Sequence, residues 1–428
     1  MEKNKIDVLG INIDNLTTKE ALEKIDGFTK TKKPHQIVTV NAEFLVFAQH
    51  DSYLRAVMRS SALNLADSTG VLWGSKFFSM PLAKNKFFQW LQIGWQLKTT
   101  FLSILFWPSY IRSVIKEKIS GSRFIWDIAG NAEKKGQSIF LLGGYLDTAK
   151  KVKEKLLVKF PRLKVVGTYA GTPDEKGIVE KINKLKPDIL LVAFGPIIQE
   201  KWIATNLKNL QVAVAVGLGG TFDYIAGIKP FPPGFLRYIG LEWAFRLVTQ
   251  PYRIKRIFTA VVRFPWYCVR FKILSTKPYR KSVVACIVNN DKEIFIGKTP
   301  KQKDETGNHH WMLPQGGVEE QEDKNKAVLR EVYEELRLKN LKNLGHIENV
   351  NRYEWPLFYS LNKYQGKFKG QEQTLFFLRH LENENVEIDK EEFVDFRWVK
   401  IDDLMDWLHP IRHGIGKHVI KNFNKFIK

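Results

Sequence analysis

Three glutamates on one predicted helix are the residues that most clearly specify a chemistry. Residues 311–338 read WMLPQGGVEEQEDKNKAVLREVYEELRL. The apolar positions predict a helix with one buried face, and Glu331, Glu334 and Glu335 share another face of it. Carboxylates this close repel one another unless a cation lies between them, and oxygen ligands suit Mg²⁺ or Mn²⁺. The alternative is a solvated acidic face that binds nothing.

The spacing of this stretch resembles the Nudix box. The matching residues are Gly316, Glu322, Arg330, Glu331, Glu334 and Glu335. One position departs, because Arg337 stands where the family has glycine. A glycine just past a helix normally takes a left-handed conformation, so Arg337 must leave the helix in a right-handed conformation or bear some strain.

Flanking sequences narrow this resemblance. YRKSVVACIVNN, WMLPQGG, KFKGQEQTLFFL and EEFVDFRWV resemble parts of bacterial RNA pyrophosphohydrolases and dinucleoside polyphosphate hydrolases. The resemblance implies an α+β domain with a mixed sheet flanked by helices, which hydrolyses a phosphoanhydride of a nucleotide or an RNA 5′ end with Mg²⁺ or Mn²⁺. It implies that Arg280 contacts phosphate, and Lys298 is a further candidate. The implied metal ligands and catalytic groups are Glu331, Glu334, Glu335 and Glu392.

The length and charge of the chain indicate several domains and an anionic partner. At 428 residues the chain exceeds one typical core, and its 44% hydrophobic and 26% charged residues are ordinary for globular protein. The formal net charge is +22, and half of it falls between Lys229 and Lys281, where twelve basic residues face one acid, Glu242. Nucleic acid, acidic lipid and polyphosphate are the partners that such a charge favours.

The cysteine content and the first residues favour a reducing compartment. Only Cys268 and Cys286 are present, which argues against a disulfide framework. The opening MEKNKIDVLGINIDN contains no apolar run of the kind that a secretory signal needs. We therefore expect a cytoplasmic location.

Residues 1–230 alternate short apolar runs with helical patterns. The runs QIVTVN, ALNLAD, SIFLLGG, KVVGTY, DILLVAFG and AVAVGLGG predict buried strands. This alternation is typical of a Rossmann-like α/β domain with a layered, mostly parallel sheet, whose ligands bind beyond the carboxyl ends of the strands. The candidates just after those strands are Thr39, Asn41, Asp67, Gly143, Gly144, Gln199, Glu200 and residues 219–223. The two Gly-Gly pairs are equally consistent with plain turns.

Six motifs in this part resemble the bacterial WecG/TagA/CpsF glycosyltransferases. They are NAEFLVFAQHDSYLRAVMRSSALNLADSTGV, SGSRFIWDIA, IFLLGG, FGPIIQEKW, GGTFDYIAG and YIGLEWAFRLVTQPYRIKR, in that order. The resemblance implies inverting transfer of an N-acetylmannosamine-type sugar from a UDP-sugar to an undecaprenyl-diphosphate-linked acceptor. It also implies that the transferase needs no metal.

The resemblance assigns roles to residues after the strands. Asp67 would be the general base, taking the proton of the acceptor hydroxyl. Thr39 and Asn41 would line the pocket, and Gln199 and Glu200 would lie near the donor. On local sequence alone, Asp67 is equally suited to cap the next helix.

Residues 83–118 form an apolar insertion. The longest uncharged run, Thr99 to Ile111, is shorter than the about 20 residues that span a bilayer. Trp90, Trp95 and Trp107 favour a segment lying in the membrane interface. The alternative is a helical pair packed on the domain's own core.

Residues 234–274 form a basic and aromatic window. The spacing of Arg246, Arg253, Arg256, Arg263 and Arg270 keeps them near one helical face, which Pro251 and Pro265 must break or kink. Such a surface fits an anionic leaflet and the acceptor's diphosphate, and RNA is the competing partner. The candidate substrate contacts are Arg237, Arg246, Arg253 and Arg256.

The sequence therefore predicts a transferase domain over 1–233, a membrane-associating appendage over 234–274 and a Nudix domain over 275–428. We expect a bifunctional enzyme bound peripherally to the inner face of the cell membrane. Two alternatives stay open: an RNA-directed pyrophosphohydrolase with a degenerate transferase scaffold, and a non-catalytic membrane adaptor. The oligomeric state is also left open.

Overall fold

The computed structural model describes residues 4–31, 33–83, 85–303, 309–381, 385–409 and 412–427. The chain divides into two compact units, residues 1–272 and 273–428. The break falls two residues before the predicted start of the last domain. The window that begins at residue 234 belongs almost entirely to the N-terminal unit, and the three-part division of the chain stays a prediction.

The N-terminal unit contains two sheets. Its strands are β1 Lys5–Val8, β2 Ile11–Asp14, β3 His35–Val40, β4 Leu63–Ala66, β5 Ser138–Gly143, β6 Lys164–Tyr169, β7 Ile189–Ala193 and β8 Val214–Gly217. The six strands β3 to β8 form one sheet in the order β4-β3-β8-β7-β5-β6, and every neighbouring pair is parallel. All six predicted strands are present, which confirms the α/β fold. The short antiparallel hairpin of β1 and β2 was missed.

Helices cover both faces of this sheet. They are α1 Thr18–Phe28, α2 Ala42–Phe47, α3 Ser52–Ser60, α4 Thr69–Ser79, α5 Lys86–Phe106, α6 Pro108–Ile111, α7 Gly121–Lys135, α8 Thr148–Lys159, α9 Ile178–Leu185, α10 Ile198–Asn206 and α11 Thr221–Ala226. One core cluster contains Ile37, Leu141 and Leu191 on one side of the sheet, and another contains Leu142 and Leu190 on the other. The buried strands therefore read as continuous apolar runs, as a covered parallel sheet requires.

The basic window is a chain of short helices rather than one helix. It contains α12 Gly234–Tyr238, α13 Glu242–Thr249, a 3₁₀ turn at Pro251–Arg253, α14 Ile254–Phe258, a π turn at Thr259–Arg263 and α15 Phe264–Ser275. The helical path is broken at Gln250, just before Pro251, whereas the backbone stays helical from Ile254 through Pro265, with a π turn in front of that proline. The five arginines therefore do not lie on one helix, because the break at Gln250 separates Arg246 on α13 from the other four.

The C-terminal unit has a mixed sheet flanked by helices. Its elements are β9 Tyr279–Val288, β10 Ile294–Lys303, β11 His309–Met312, β12 Gln315–Gly317, α16 Lys324–Leu336, β13 Leu341–Glu354, α17 Leu357–Tyr364, β14 Gly370–His380, β15 Asp395–Val399, α18 Leu404–Trp407 and α19 His413–Phe426. Strands β9 and β14 pair in parallel, whereas the other pairs are antiparallel. This arrangement confirms the predicted α+β class.

The apolar insertion packs against the N-terminal unit through one helix face. Thr100 on α5 is fully buried and its Oγ1 accepts a hydrogen bond of 2.9 Å from Nε1 of Trp73, which is itself buried on α4. The alternative of packing on the domain's own core therefore holds for this face of α5.

Replacing Thr100 by valine should destabilise the N-terminal unit by about 1–3 kcal/mol, because the substitution leaves the buried Trp73 N–H without its acceptor. Thr99→Val is the matched control, since the Thr99 hydroxyl bonds only to helix carbonyls of α5. Calorimetric unfolding of the full chain measures the transition temperature of each variant. Equal transition temperatures for the two variants would contradict the assigned role of this hydrogen bond.

Candidate active sites

A cavity of about 1080 Å³ opens at the carboxyl edge of the N-terminal sheet. Parallel strands end together at this edge, so residues far apart in sequence meet there. Its wall includes Thr39, Asn41, Asp67, Gly144, Gln199, Gly219, Arg246, Arg253 and Arg256. The described structure thus brings together most of the residues that the sequence singles out in this unit.

Asp67 lies directly after β4 at this cavity. Its Oδ1 accepts a hydrogen bond of 3.0 Å from the backbone N–H of Gly121, the first residue of α7. Ser68, not Asp67, caps α4 by accepting from the N–H of Val71, so the capping alternative for Asp67 is wrong. Burial raises the pKa of the Asp67 carboxyl to about 6, and the Gly121 hydrogen bond and the Ser120 side chain oppose this rise.

Three arginines of the basic window reach the same cavity. Arg256 makes a bidentate ion pair with the buried Glu43, with contacts of 3.0 and 2.7 Å. Arg246 lies 3.4 Å from Glu242 and over the ring of Tyr224, and its Nε is buried without a hydrogen-bond partner. Arg253 lies near Gly220, where an added Cβ would be 3.6 Å from its Nη2. Cationic groups therefore line the wall of a cavity that also contains Asp67.

Arg237 lies off the cavity wall. The residues that line the cavity do not include it, and its carbonyl oxygen accepts a hydrogen bond of 3.4 Å from Lys118 Nζ. Its assignment as a substrate contact has no support in this arrangement.

Gln199 and Glu200 serve mainly to hold two turns in place. Glu200 is fully buried; its Oε2 accepts from the N–H of Ile197 at 2.7 Å and its Oε1 accepts from Gln199 Nε2 at 2.6 Å. Gln199 Oε1 in turn accepts from the N–H of Gly219 at 2.8 Å. Burial raises the pKa of Glu200 to about 7. Glu200 therefore lies beneath the cavity wall and cannot contact a substrate directly, which corrects its assignment as a substrate-binding residue, while its proximity to the donor stays a prediction.

Thr39 and Asn41 also have structural partners. The Thr39 hydroxyl donates to the carbonyl of Gly217 at 3.0 Å, which ties β3 to β8. The Asn41 side chain caps α2 by accepting from the N–H of Phe44 at 3.1 Å. Both residues still border the cavity. Sequence reasoning missed Glu43, whose only local signal is a carboxylate on an otherwise buried helix.

In the C-terminal unit, Arg330 organises the glutamates. Its guanidinium donates to both oxygens of Glu322 at 2.8 and 2.9 Å, to Glu331 at 2.9 Å and to Glu334 at 3.2 Å. It also donates to the carbonyl of Gly317 at 2.9 Å, which ties the middle of α16 to β12. The predicted acidic face is therefore a bonded network rather than a set of solvated side chains.

Gly316 and Gly317 allow two charged groups to approach the backbone. A Cβ at Gly316 would lie 1.8 Å from the Glu331 carboxylate, and one at Gly317 would lie 1.8 Å from the Arg280 guanidinium. A side chain at either position would displace the charged end of Glu331 or Arg280. The two glycines thus let these charged groups lie against the backbone.

Glu335 is the group in this site that most clearly lacks a counterion. It is buried and its Oε2 has no hydrogen-bond partner, while burial and the nearby Glu331, Glu392 and Glu334 raise its pKa well above the usual range. An uncompensated buried carboxylate among other carboxylates is the donor set that a hard divalent cation stabilises. The chemistry of these residues therefore fits a divalent cation.

The glutamates do not form a closed ion site in the arrangement described. Glu331 and Glu334 each direct an oxygen to Arg330, and within the described parts of the chain no group of three acidic, histidine or cysteine side chains converges on one point. The ligand assignment of Glu331, Glu334, Glu335 and Glu392 therefore stays a prediction.

Basic and aromatic groups border these glutamates. Arg280 donates to the Tyr364 hydroxyl at 3.2 Å and lies over its ring, and Tyr364 stacks on Trp355 with 4.5 Å between ring centroids. Lys298 lies 5.8 Å from the ring centroid of Trp311. Both basic residues have contacts in the fold, and their phosphate contacts remain predictions.

Arg337 leaves the glutamate helix in a left-handed conformation. Its φ and ψ are 59° and 13°, its N–H donates to the carbonyl of Tyr333 at 2.9 Å, and its guanidinium lies 5.5 Å from that ring. Of the two conformations expected for Arg337 at the helix end, the structure has the strained, left-handed one. The backbone accepts about 1–2 kcal/mol of strain to keep the ending that glycine provides in the family.

Two family models match this chain. The model described as the glycosyl transferase WecG/TagA/CpsF family matches residues 6–88 and 103–278. The chain belongs to this family. A NUDIX domain model matches residues 278–423, and together with the mixed sheet this assigns a Nudix domain to the C-terminal unit. Both assignments indicate enzymatic activity, and Nudix hydrolases generally use divalent metal ions.

Individual proteins resemble each part. Staphylococcus aureus strains NCTC 8325 and COL have an N-acetylglucosaminyldiphosphoundecaprenol N-acetyl-β-D-mannosaminyltransferase that is 27% identical over 258 residues, which cover 59% of this chain and 88% of that protein. A MutT protein from Methanosarcina mazei Go1 is 20% identical, covering 35% of this chain and 98% of its own, with a TM-score of 0.26. A C. elegans Ap4A hydrolase is 17% identical, covering 35% and 97%, with a TM-score of 0.27.

Among the described helices, none combines the length and the apolar character that crossing a bilayer demands. Helix α5 has 21 residues, but Lys98 and several glutamines interrupt its apolar sequence.

The raised pKa of Asp67 gives a testable pH dependence of stability. The folded state keeps this proton to about pH 6 whereas an unfolded aspartate loses it near pH 4, so the group's contribution to stability falls as pH rises through that window. Asp67→Asn should therefore raise the unfolding temperature above about pH 6 and not below about pH 4. Thermal unfolding at a series of pH values measures the difference in unfolding temperature between the variant and the wild type. Asp174→Asn, at an exposed position, is the control. A pH-independent difference between Asp67→Asn and the wild type would contradict the raised pKa.

Proposed function

We propose that the chain is a bifunctional enzyme. Its N-terminal unit transfers an N-acetylmannosamine-type sugar from a UDP-sugar to an undecaprenyl-diphosphate-linked acceptor, with inversion. Its Nudix domain hydrolyses a phosphoanhydride in a nucleotide polyphosphate or a nucleoside-diphosphate-linked compound. The observation that carries the first activity is Asp67, a carboxyl with a pKa near 6 in a cavity lined by arginines.

The transfer step follows from the position of Asp67. The acceptor hydroxyl oxygen forms a bond to the anomeric carbon as the bond from that carbon to the UDP oxygen breaks, and UDP leaves with the bonding electrons. Asp67 takes the proton of the hydroxyl. A pKa near 6 suits this role, because the carboxyl is largely ionised near neutral pH and still basic enough to accept the proton.

The cavity arginines provide positive charge for a diphosphate. Arg246 and Arg253 line the cavity with Asp67, whereas Arg256 is already paired with Glu43. Charge-assisted hydrogen bonds from guanidinium groups to phosphate are among the strongest in proteins. We therefore assign the diphosphate contacts to Arg246 and Arg253, and to Arg256 the placement of α14 on α2. No metal is part of this step.

In the Nudix domain the acidic residues would hold Mg²⁺ or Mn²⁺. Glu331, Glu334, Glu335 and Glu392 are the proposed ligands, since the other three carboxylates act electrostatically on Glu335, whose Oε2 is buried without a hydrogen-bond partner. When bound, the ion activates water and neutralises charge on the phosphates. Arg330 holds Glu331 and Glu334 in place, and Arg280 would contact the phosphate chain beside them.

The substrate of this domain is proposed to be a nucleotide. Trp355 and Tyr364 stack within the C-terminal unit, and Arg280 lies between Tyr364 and Gly317 of β12. Trp355 is buried, so Tyr364 is the member of the pair that can meet a base, and guanidinium groups bind phosphates. Tyr364 and Arg280 together therefore match a nucleoside polyphosphate. A dinucleoside polyphosphate and an RNA 5′ end share this chemistry.

The proposed acceptor places the enzyme at the inner face of the cell membrane. The basic window carries exposed aromatic side chains, among them Phe235, Tyr238 and Tyr252, beside its arginines. Each basic residue near an anionic leaflet contributes about 1 kcal/mol of attraction. We therefore propose that the basic window attaches the enzyme peripherally to the membrane surface.

Asp67→Asn should reduce transfer by about a hundredfold or more, because it removes the general base while keeping the hydrogen bond from Gly121. UDP release from UDP-N-acetylmannosamine, with an N-acetylglucosamine-diphosphate lipid as acceptor, measures the rate. Asp174→Asn should retain wild-type turnover. Unchanged UDP release in Asp67→Asn, or none from the wild type, would lead us to abandon this activity.

Glu334→Gln and Glu335→Gln should each reduce Mg²⁺-dependent hydrolysis by about a hundredfold or more, since each removes a proposed ligand charge. Glu320→Gln, on the exposed loop before α16, is the control. Phosphate release from dinucleoside polyphosphates and from 5′-triphosphate RNA, with and without chelator, identifies the substrate. Full turnover in the Glu334 and Glu335 variants would overturn the ligand assignment.

A further inference from the structure

Helix α5 turns its polar side chains inward. Gln96, Thr100 and Ser103 follow one another at helical spacing on its buried face. Gln96 donates to the carbonyl of Pro81 at 2.9 Å and accepts from Lys272 Nζ at 2.6 Å. Thr100 accepts from Trp73, so the inward polar groups have partners in the protein. A helix on the surface of a water-soluble unit normally has the opposite polarity.

The outward face of α5 is apolar. Phe88, Leu91, Trp95, Leu102 and Phe106 recur at spacings of three, four and seven, and each is exposed, with Trp95 at 64% and Phe106 at 81%. Together with Trp90, they form an apolar stripe along a helix about 31 Å long, with Lys98 as its one charged residue. Exposure of this stripe to water is unfavourable by about 1.5–3 kcal/mol for each large side chain.

Most of the stripe falls in a segment that the family model leaves unmatched. The WecG/TagA/CpsF model matches residues 6–88 and resumes at 103, so the residues 89–102 that form most of α5 have no counterpart in it. The role of the stripe therefore lies beyond the shared reaction of the family.

The same helix also borders the N-terminal cavity. Phe101, Ile104 and Leu105 are part of the cavity wall that includes Asp67. The apolar stripe is thus continuous with the opening of the site.

We propose that α5 is a membrane-seated wall of the transferase site. It lies along an anionic bilayer with its apolar stripe among the acyl chains and headgroups, and the cavity then opens at the bilayer surface. The lipid-linked acceptor presents its diphosphate-linked sugar to Asp67 while its prenyl chain stays in the membrane beside α5. The part concerning the acceptor rests on the proposed transferase function.

The charges around the stripe favour a bilayer over a second copy of the chain. Residues 84–116 contain five basic residues and no acid, and Lys98 is exposed within the stripe itself. The positively charged stripes of two copies of the chain would repel each other, whereas anionic lipid headgroups attract the stripe of either copy. Lys98 can extend its charged end to the headgroups while its methylene chain stays among apolar groups. Trp90, Trp95 and Trp107 are exposed along the helix, as in segments that lie at membrane interfaces.

Vesicle flotation of the full chain tests the proposal. Leu91→Glu with Leu102→Glu places two charges on the stripe and leaves the buried face, the cavity wall and the basic window intact. Val158→Glu, on α8 at 85% exposure, is the matched control. Vesicles of phosphatidylcholine, with and without phosphatidylglycerol, are the probe, and circular dichroism and thermal unfolding establish that all variants are folded.

We expect the double variant to lose about a hundredfold of its partitioning onto phosphatidylglycerol vesicles, because burial of each leucine contributes about tenfold or more. Val158→Glu should partition like the wild type. Equal flotation of the folded double variant and the wild type would overturn the proposal. A lipid-free dimer that the double variant abolishes would overturn it too, since a second copy would then cover the stripe.

A second measurement separates this proposal from the transferase function. With the acceptor in vesicles, the double variant should transfer sugar about a hundredfold more slowly than the wild type, in line with its lost partitioning. With the acceptor dissolved in detergent, the two rates should be equal. An equal loss of transfer rate with vesicle-bound and with detergent-dissolved acceptor would contradict the proposed membrane contact of α5. Absence of transfer by the wild type would refute the transferase function and leave the flotation result as the test of the membrane surface.

Discussion

The hydrogen bond from the Gly121 N–H to Asp67 is the interaction on which the N-terminal site depends. It joins the end of β4 to the start of α7 and holds the carboxyl at the cavity. The helix N-terminus favours the ionised form, whereas burial favours the protonated form. Burial is the stronger effect, and the pKa settles near 6, between those of an ordinary aspartate and a neutral-pH base.

The surrounding chain supports this carboxyl in two ways. Gln199 and Glu200 accept hydrogen bonds from the backbone N–H groups of Gly219 and Ile197. They therefore support the cavity edge from beneath. The basic window, folded back as short helices, brings Arg246 and Arg253 to the cavity wall. In the Nudix domain, Arg330 donates hydrogen bonds to Glu322, Glu331 and Glu334, whereas Glu335 keeps an unpartnered oxygen.

The strands of each unit can be predicted from the sequence because a buried strand appears as a short run of apolar residues. The six apolar runs of the N-terminal unit and the strands around the Nudix box needed no long-range information. The position of Glu200 could not be predicted in this way, because its burial depends on Gln199, Gly217 and Ile197 closing around it. The Glu43–Arg256 pair joins residues more than 200 positions apart, which no local pattern encodes. Helix α5 was recognised as apolar, but its inward polar face appears only once Trp73 and Lys272 are placed.

The most direct test of the account is the pH profile of kcat/KM for sugar transfer by the full chain. If Asp67 is the base, kcat/KM should be constant above about pH 6 and fall about tenfold for each pH unit below it. This limb should vanish in the residual activity of Asp67→Asn. A wild-type profile that stays flat through pH 6, or a limb that persists in Asp67→Asn, would contradict the role given to this carboxyl.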